Sequence, residues 1–203
     1  MFLSASKLAD PAWRIEGETL LLRPPAMEDF IQWSQLRAAS RAFLEPWEPL
    51  WPADDLAKPS FRRRLRRYSR EMDQDDAVTF LVFAQKNRAL LGGLTIGNIR
   101  RGVAQQATLG YWMGEAYAGQ GIMSEAAGMA CRFAFTAMAL RRMEAACLPE
   151  NAASIRLLEK AGFRREGLAR EYLCIAGKWR DHLLFARLAS DPPVKPPRPR
   201  LSI

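Results

Sequence analysis

Two glycines one residue apart, Gly119 and Gly121, stand in the stretch AYAGQGIMSEA (Ala116–Ala126). A strand-like run, ATLGYWM, ends just before it, and a helix rich in alanine and glycine, MSEAAGMACRFAFTAMA, follows. Glycine lets the backbone approach a ligand closely, and a helix N-terminus offers unpaired N–H groups at the positive end of its dipole. A strand, a glycine turn and a helix in that order make a physically sensible pyrophosphate cradle. An ordinary tight turn ahead of a helix would read the same. Two nucleotide motifs are excluded: there is no GxxxxGK[ST], and Ser124 stands where the third glycine of GxGxxG would fall, with no second βαβ half to follow. The phosphate to be held is not expected to be that of ATP or NAD.

The elements that must position this turn can be read on both sides of it. GETLLLRPP gives a first strand stopped by Pro24 and Pro25, and AMEDFIQWSQLRAAS a helix with Phe30, Trp33 and Leu36 on one face. RAFLEPWEPLWPADD, with three prolines and two tryptophans, predicts an ordered, non-helical loop packed on something. FRRRLRRYSR predicts an amphipathic helix with Phe61, Leu65 and Tyr68 inward and an arginine face outward. AVTFLVFAQ and LLGGLTIGNIR form a hairpin, RRMEAACL a further strand, and NAASIRLLEKAGF a short helix capped by Asn151 and ended by Gly162. EGLAREYLCI and WRDHLLFARL close the chain as two strands about an AGK turn. The order β, α, α, β, β, β, α, β, α, β, β predicts a mixed α/β domain. One parallel crossover lies at the helix after ATLGYWM, with antiparallel pairing on either side.

The chain has 203 residues, 49% of them hydrophobic and 26% charged, enough for one globular domain with a core that needs no disulfides. Residues 1–15 are read as an N-terminal extension, 16–190 as the domain and 191–203 as a proline-rich basic tail, extended or disordered. Cys131, Cys147 and Cys174 are scattered and His182 is the single histidine, so reduced cysteines, no metal site and a cytoplasmic setting are expected. No apolar run is long enough for a signal peptide or a membrane span. The net charge of +8 permits an anionic partner without demanding one. Arg62, Arg63, Arg66 and Arg67 read either as a solvated helix face or as an anionic contact surface.

From Leu109 to Leu188 the chain resembles the GCN5-related N-acetyltransferase (GNAT) family, and in particular its RimJ-like branch of ribosomal-protein alanine N-acetyltransferases. The family's Q/R-x-x-G-x-G/A loop falls on AGQGIM, Ala118–Met123. Gly121 matches strictly, Gly119 is a common companion, and Ala118 and Met123 depart from the pattern. PENAASIRLLEKAGF is similar to the family's N-x-x-S-x-x-L-x-x-x-G-F signature through Asn151, Ser154, Leu157, Gly162 and Phe163. EYLCIAGKWRDHLLFARL and FLEPWEP look like the branch's C-terminal and N-terminal patterns. The resemblance implies a GNAT fold, a mixed sheet splayed in a V around acetyl-CoA.

It also implies roles. Backbone N–H groups at Tyr111, Trp112 and Met113 would serve the thioester. Ala118, Gly119, Gln120, Gly121, Ile122, Met123 and Ser124 would hold the pyrophosphate, and Asn151 the pantetheine arm. Aminolysis of a thioester needs a neutral amine, a donor to the oxyanion and a proton for the thiolate. Ser154 is the expected acid, with Tyr172 or Tyr111 as the alternative. Glu48, in the aromatic loop, is the first choice of base, ahead of Glu171 and Asp181. An α-amine titrates near 7.7–8.0 against about 10.4 for lysine, so an N-terminal acceptor needs only a weak base or a water chain. Trp47 and Trp51 could wall the acceptor site or serve as loop core, and His182 is read as structural. The expected function is acetyl transfer to a primary amine, foremost a ribosomal-protein N-terminus of the Ser/Ala type, by a monomer or homodimer. Three other readings stay open: a small-molecule or antibiotic acetyltransferase, an RNA- or ribosome-associated factor with secondary acetylation, and a cofactor-binding relic.

Overall fold

The computed structural model describes residues 11–194, so much of the expected N-terminal extension and most of the proline-rich tail lie outside the described residues. Eight strands form one sheet in the order β1-β2-β3-β4-β5-β6-β8-β7. They are β1 (Ile15–Glu16), β2 (Leu20–Arg23), β3 (Val78–Ala84), β4 (Leu90–Arg100), β5 (Gln106–Met113), β6 (Arg142–Cys147), β7 (Arg164–Ile175) and β8 (Lys178–Leu188). All neighbours run antiparallel except β5 and β6, which are parallel. The crossover between those two is α4 (Ile122–Thr136), the helix that follows the glycine turn. The last hairpin folds back so that β8 lies between β6 and β7.

Five α-helices cover the sheet. On one face lie α4 and α5 (Ala152–Lys160), packed with Leu94, Ile96, Leu109, Met143 and Phe185 in the main core. α4 carries Ala126, Ala127, Gly128 and Ala130 fully buried, and small residues there let its axis approach the strands. On the other face lie α1 (Phe30–Ala39) and α3 (Lys58–Asp73), whose Phe30, Trp33, Leu36, Phe61 and Leu65 join Leu81, Phe83 and Trp112 in a second core. The i, i+3, i+6 stripe of α1 packs into that core, as does the inward face of α3 at Phe61 and Leu65.

The aromatic segment after α1 is more regular than its prolines predict. Arg41–Leu44 form the short helix α2, and Glu45–Trp47 add a single 3-10 turn. Pro46 sits in the first turn of that helix, where a missing N–H costs nothing because the first N–H groups have no intrahelical partner. Residues 48–57 then run as an irregular connection to α3. This connection reaches the far end of the sheet: Ala176 N–H, in the β7–β8 turn, donates to the Glu48 carbonyl at 2.9 Å. Leu50 packs against Gly177 of the same turn.

A candidate acyl-transfer site at the β5–β6 opening

The parallel ladder between β5 and β6 is short. It pairs Gln106 with Arg142, Ala107 with Met143 and Thr108 with Glu144, and then it stops. On its other edge β5 stays paired with β4 as far as Gly92–Met113. Strand backbone groups alternate sides. Gly114 N–H donates to the Leu91 carbonyl at 2.9 Å, on the β4 side, while the Gln105 carbonyl accepts from Arg142 on the β6 side. The even residues of β5 therefore turn their N–H and C=O toward β4, and the odd ones toward β6. Beyond Thr108, the N–H groups of Tyr111 and Met113 face the gap where β6 has diverged. Trp112, expected as a donor with them, has its backbone engaged with β4.

At the mouth of this gap stands the glycine turn. Gly119 (φ 74°) and Gly121 (φ 82°) both adopt the left-handed conformation, which strains any side-chain-bearing residue. Gly121 is the N-cap of α4, and no side chain caps that helix end. The N–H groups of Ile122, Met123 and Ser124 thus open the helix at its positive end. Their side chains are buried, so the turn presents backbone. Ala118 ends a 3-10 turn (Glu115–Tyr117), and Gln120 folds back, its Nε2 donating to the Ala116 carbonyl at 3.1 Å. A β-carbon on Gly119 would meet nothing within 4 Å.

Across the gap, α5 begins at the end of β6. Asn151 is its N-cap, with Oδ1 accepting from Ser154 N–H at 3.0 Å, so the side chain keeps only its Nδ2 to donate elsewhere. Ser154 is 9% exposed and its Oγ lies 2.6 Å from the Tyr111 hydroxyl. This pair spans the opening, one member from β5 and the other from α5. Burial pushes the Tyr111 phenol well above its usual range despite the Ser154 contact, so it stays protonated at any physiological pH. Cys147, at the end of β6 beside Ser154, is likewise pushed up by burial. Of the two tyrosines weighed with Ser154, Tyr111 is the one brought to it. Tyr172 is largely exposed and stacks edge-on against His182 on the last hairpin, with centroids 5.7 Å apart.

The opposite face of the gap is built from side chains. Gly93 of β4 has no room for a β-carbon, which would fall 2.5 Å from the Trp112 indole nitrogen, and so the Trp112 ring lies across it. Arg37 of α1 sits over Trp112 (5.0 Å) and over Trp51 (4.2 Å). Its guanidinium grips Glu48 in a bidentate pair at 2.9 and 2.7 Å, and Trp51 Nε1 donates to Glu48 at 2.7 Å. Glu48, the first choice of base, is thus held in an ion pair with Arg37. The carboxylate is mostly buried and accepts from both a guanidinium and an indole N–H. Asp181 accepts from Glu171 N–H at 2.9 Å, and Glu171 itself is exposed. His182 is buried, its Nδ1 donating to the Arg180 carbonyl at 2.9 Å, a structural arrangement. Trp47, read with Trp51 as either an acceptor wall or loop core, is 36% exposed. Arg37 was not singled out from the sequence; only its approach to Glu48 across eleven residues reveals it.

Fold and gap together define an enzyme of acyl transfer. A sheet forced open beside a helix N-terminus leaves strand N–H groups for a carbonyl, helix N–H groups for a phosphate and a hydroxyl pair for a leaving group. A family model for the acetyltransferase (GNAT) domain matches residues 19–164. The chain is 34% identical over 177 residues to a probable N-acetyltransferase, YjcK, of Bacillus subtilis, covering 87% of this chain and 98% of that one. It is 32% identical over 181 residues to the ribosomal protein uS5-alanine N-acetyltransferase of Escherichia coli, covering 89% and 93%. Among solved structures, Mycobacterium smegmatis RimJ in complex with CoA-disulfide superposes with a TM-score of 0.79 at 38% identity, covering 84% of this chain and 82% of that one. The chain belongs to the GNAT acetyltransferase family, and within it resembles the RimJ-like branch. It is an acetyl-CoA-dependent N-acetyltransferase, and the glycine turn, the unpaired β5 edge and the Tyr111–Ser154 pair fit that co-substrate. Among the described residues, no group of three or more His, Cys, Asp or Glu could hold a metal ion, and no helix is long and apolar enough to cross a membrane.

Proposed function

We propose that this enzyme acetylates the α-amine of a protein N-terminus, of the Ser/Ala type found on ribosomal proteins, by direct attack in a ternary complex. The observation that carries the reading is the opening between β5 and β6, which passes through the sheet. The backbone cradle and the Tyr111–Ser154 pair line one face, and Trp112, Trp51 and the 48–57 connection line the other. The co-substrate would enter from the α4 side and the amine from the α1–α3 side. The likeness to an uS5-alanine N-acetyltransferase supports the choice of acceptor.

In this reading the N–H groups of Ile122, Met123 and Ser124, with Ala118–Gly121 wrapped beneath, hold the pyrophosphate. Asn151 Nδ2 donates to the pantetheine arm. The N–H groups of Tyr111 and Met113 donate along it and to the thioester oxygen, where negative charge gathers as the amine attacks. The new C–N bond forms, the C–S bond breaks, and the thiolate takes a proton from the Tyr111–Ser154 pair. The amine's proton leaves through water, which returns a proton to the pair. An α-amine, about a tenth or more neutral at pH 7, needs no strong base, which suits a site where Glu48 is ion-paired. Such an enzyme would work in the cytoplasm, as a monomer or homodimer.

The test is mass-spectrometric acetyl transfer to two peptide sets, one with free α-amines and blocked lysines, the other reversed. Transfer to α-amines alone is expected. Transfer to lysines alone would overturn the reading. Transfer to neither set, with acetyl-CoA still bound, would favour a small-molecule acceptor, the second reading of the same site. An RNA or ribosome contact through Arg62, Arg63, Arg66 and Arg67 is compatible with either.

A further inference from the structure

The six arginines of α3 are not equivalent. Arg63 pairs with Asp54 at 2.6 Å, Arg64 pairs with Asp55, and Arg67 reaches Glu71 at 3.4 Å while its guanidinium lies over Tyr68. These three spend their charge inside the molecule. Arg62, Arg66 and Arg70 are exposed and have no acidic partner among the described residues. They recur every four residues, so they form a single ridge with about 6 Å of rise between neighbours. Beside the ridge lies an open groove of about 550 Å³ lined by Arg63, Arg66, Ser69 and Arg70.

The ridge also has a definite place. α3 packs on the Trp112 face of the sheet, the face assigned to the acceptor. Arg63 also lines a second cavity, of about 420 Å³, together with Arg37, Glu48 and Trp51. The arginine groove and the acceptor side of the gap are therefore neighbours along one surface.

We propose that Arg62, Arg66 and Arg70 bind the phosphate backbone of RNA and so hold an RNA-borne acceptor beside the gap. The proposal rests on the N-terminal acceptor reading for its second half only. RNA is favoured over an acidic protein because no large apolar side chain of α3 is exposed. Protein interfaces are built around an apolar or aromatic centre, whereas phosphate contacts need only cations, and guanidinium groups match phosphate bidentately. Unpaired arginines also have no internal ion pair to give up on binding.

The probe is a fluorescein-labelled single-stranded RNA of about 20 nucleotides, longer than a typical site. Its anisotropy is followed with the full chain across a salt series. Replacing Arg62, Arg66 and Arg70 by Gln should reduce the slope of log K against log salt by about 2, from three lost contacts at about 0.7 each. A control removing equal charge elsewhere, R88Q/R132Q/K160Q, should change it less. Equal slopes for the two triple variants would overturn the ridge. So would a poly-glutamate of matched charge displacing RNA at equal concentration, which would mark a general acidic-partner surface. Transfer is then compared on an acceptor peptide, free and conjugated to the same RNA. Wild type should prefer the conjugate by at least about tenfold in kcat/KM at low salt, and the ridge variant should not, while both treat the free peptide alike. If neither peptide is acetylated but ridge-dependent RNA binding persists, the acceptor reading falls and the ridge stands.

Discussion

On the α4–α5 face of the sheet, the groups aimed at a ligand are mostly backbone: the N–H groups of Ile122 to Ser124 and those of Tyr111 and Met113. On the α1–α3 face they are side chains: Arg37 clamped on Glu48, with Trp51 and Trp112 stacked about it. A backbone site depends on conformation, so it survives departures such as Ala118 and Met123 as long as the left-handed glycines remain. A side-chain site depends on identity. On the proposed reading, the co-substrate face rests on backbone conformation and the acceptor face on the particular side chains present.

The comparison can be broken most sharply at Gly121. Gly121→Val puts a β-branched side chain at φ 82° and beside the proposed pyrophosphate cradle. Acetyl-CoA affinity should fall at least about 100-fold, as read by calorimetry, with the circular dichroism spectrum retained. Unchanged affinity would move the cradle elsewhere.

Next comes the hydroxyl pair. Tyr111→Phe should lower kcat by about 100-fold, the lower end of the range for a general acid, with the KM for acetyl-CoA nearly unchanged. A raised KM with intact kcat would make Tyr111 a binding group only. Because burial lifts the phenol above its usual range, wild-type kcat/KM should show no falling limb from Tyr111 between pH 6 and 9. It should instead rise with the acceptor's own titration, near 7.7–8.0 for an α-amine.

The acceptor face should respond in stability before chemistry. Glu48→Gln leaves the Arg37 guanidinium without its counter-charge in a mostly buried setting and should cost about 2–3 kcal/mol in denaturant unfolding. The acceptor KM should rise and the shape of the pH–rate profile should stay. Loss of kcat with full stability and an altered pH limb would make Glu48 the base.

The smallest effect is on the cradle's underside. Glu125, in the first turn of α4, accepts from the Thr19 hydroxyl, yet burial raises its pKa above 4.5. The native state therefore holds its proton longer than the unfolded chain, so this residue's contribution to stability is present at low pH and lost as pH rises through the folded value. Glu125→Gln should give a small rise in Tm at pH 7 that disappears below pH 4. A fall at pH 7 would mean the ionised carboxylate is favoured there, by the helix dipole or by Thr19.

Much of the architecture was legible because it follows from local pattern. β4 was read residue for residue, Asn151 and Gly162 bound α5 as their capping chemistry demands, and the parallel crossover followed from a helix between two strands. Two elements escaped it: the two-residue strand β1, whose Ile15 fell in the expected extension, and the segment after α1, where three prolines hid α2 and a 3-10 turn that a first-turn proline permits.

Local sequence was enough to place the glycine turn, whose Gly119 and Gly121 adopt a conformation that strains other residues, and the start of α5, which Asn151 caps. Only the tertiary structure decided which side chains meet. Tyr111 and Ser154 are 43 residues apart, Arg37 and Glu48 are brought together by a loop tied to the β7–β8 turn, and Arg63 and Arg64 of α3 pair with Asp54 and Asp55 of the preceding connection. Side-chain partnership is a property of distance in space. Periodicity and capping report only distance along the chain.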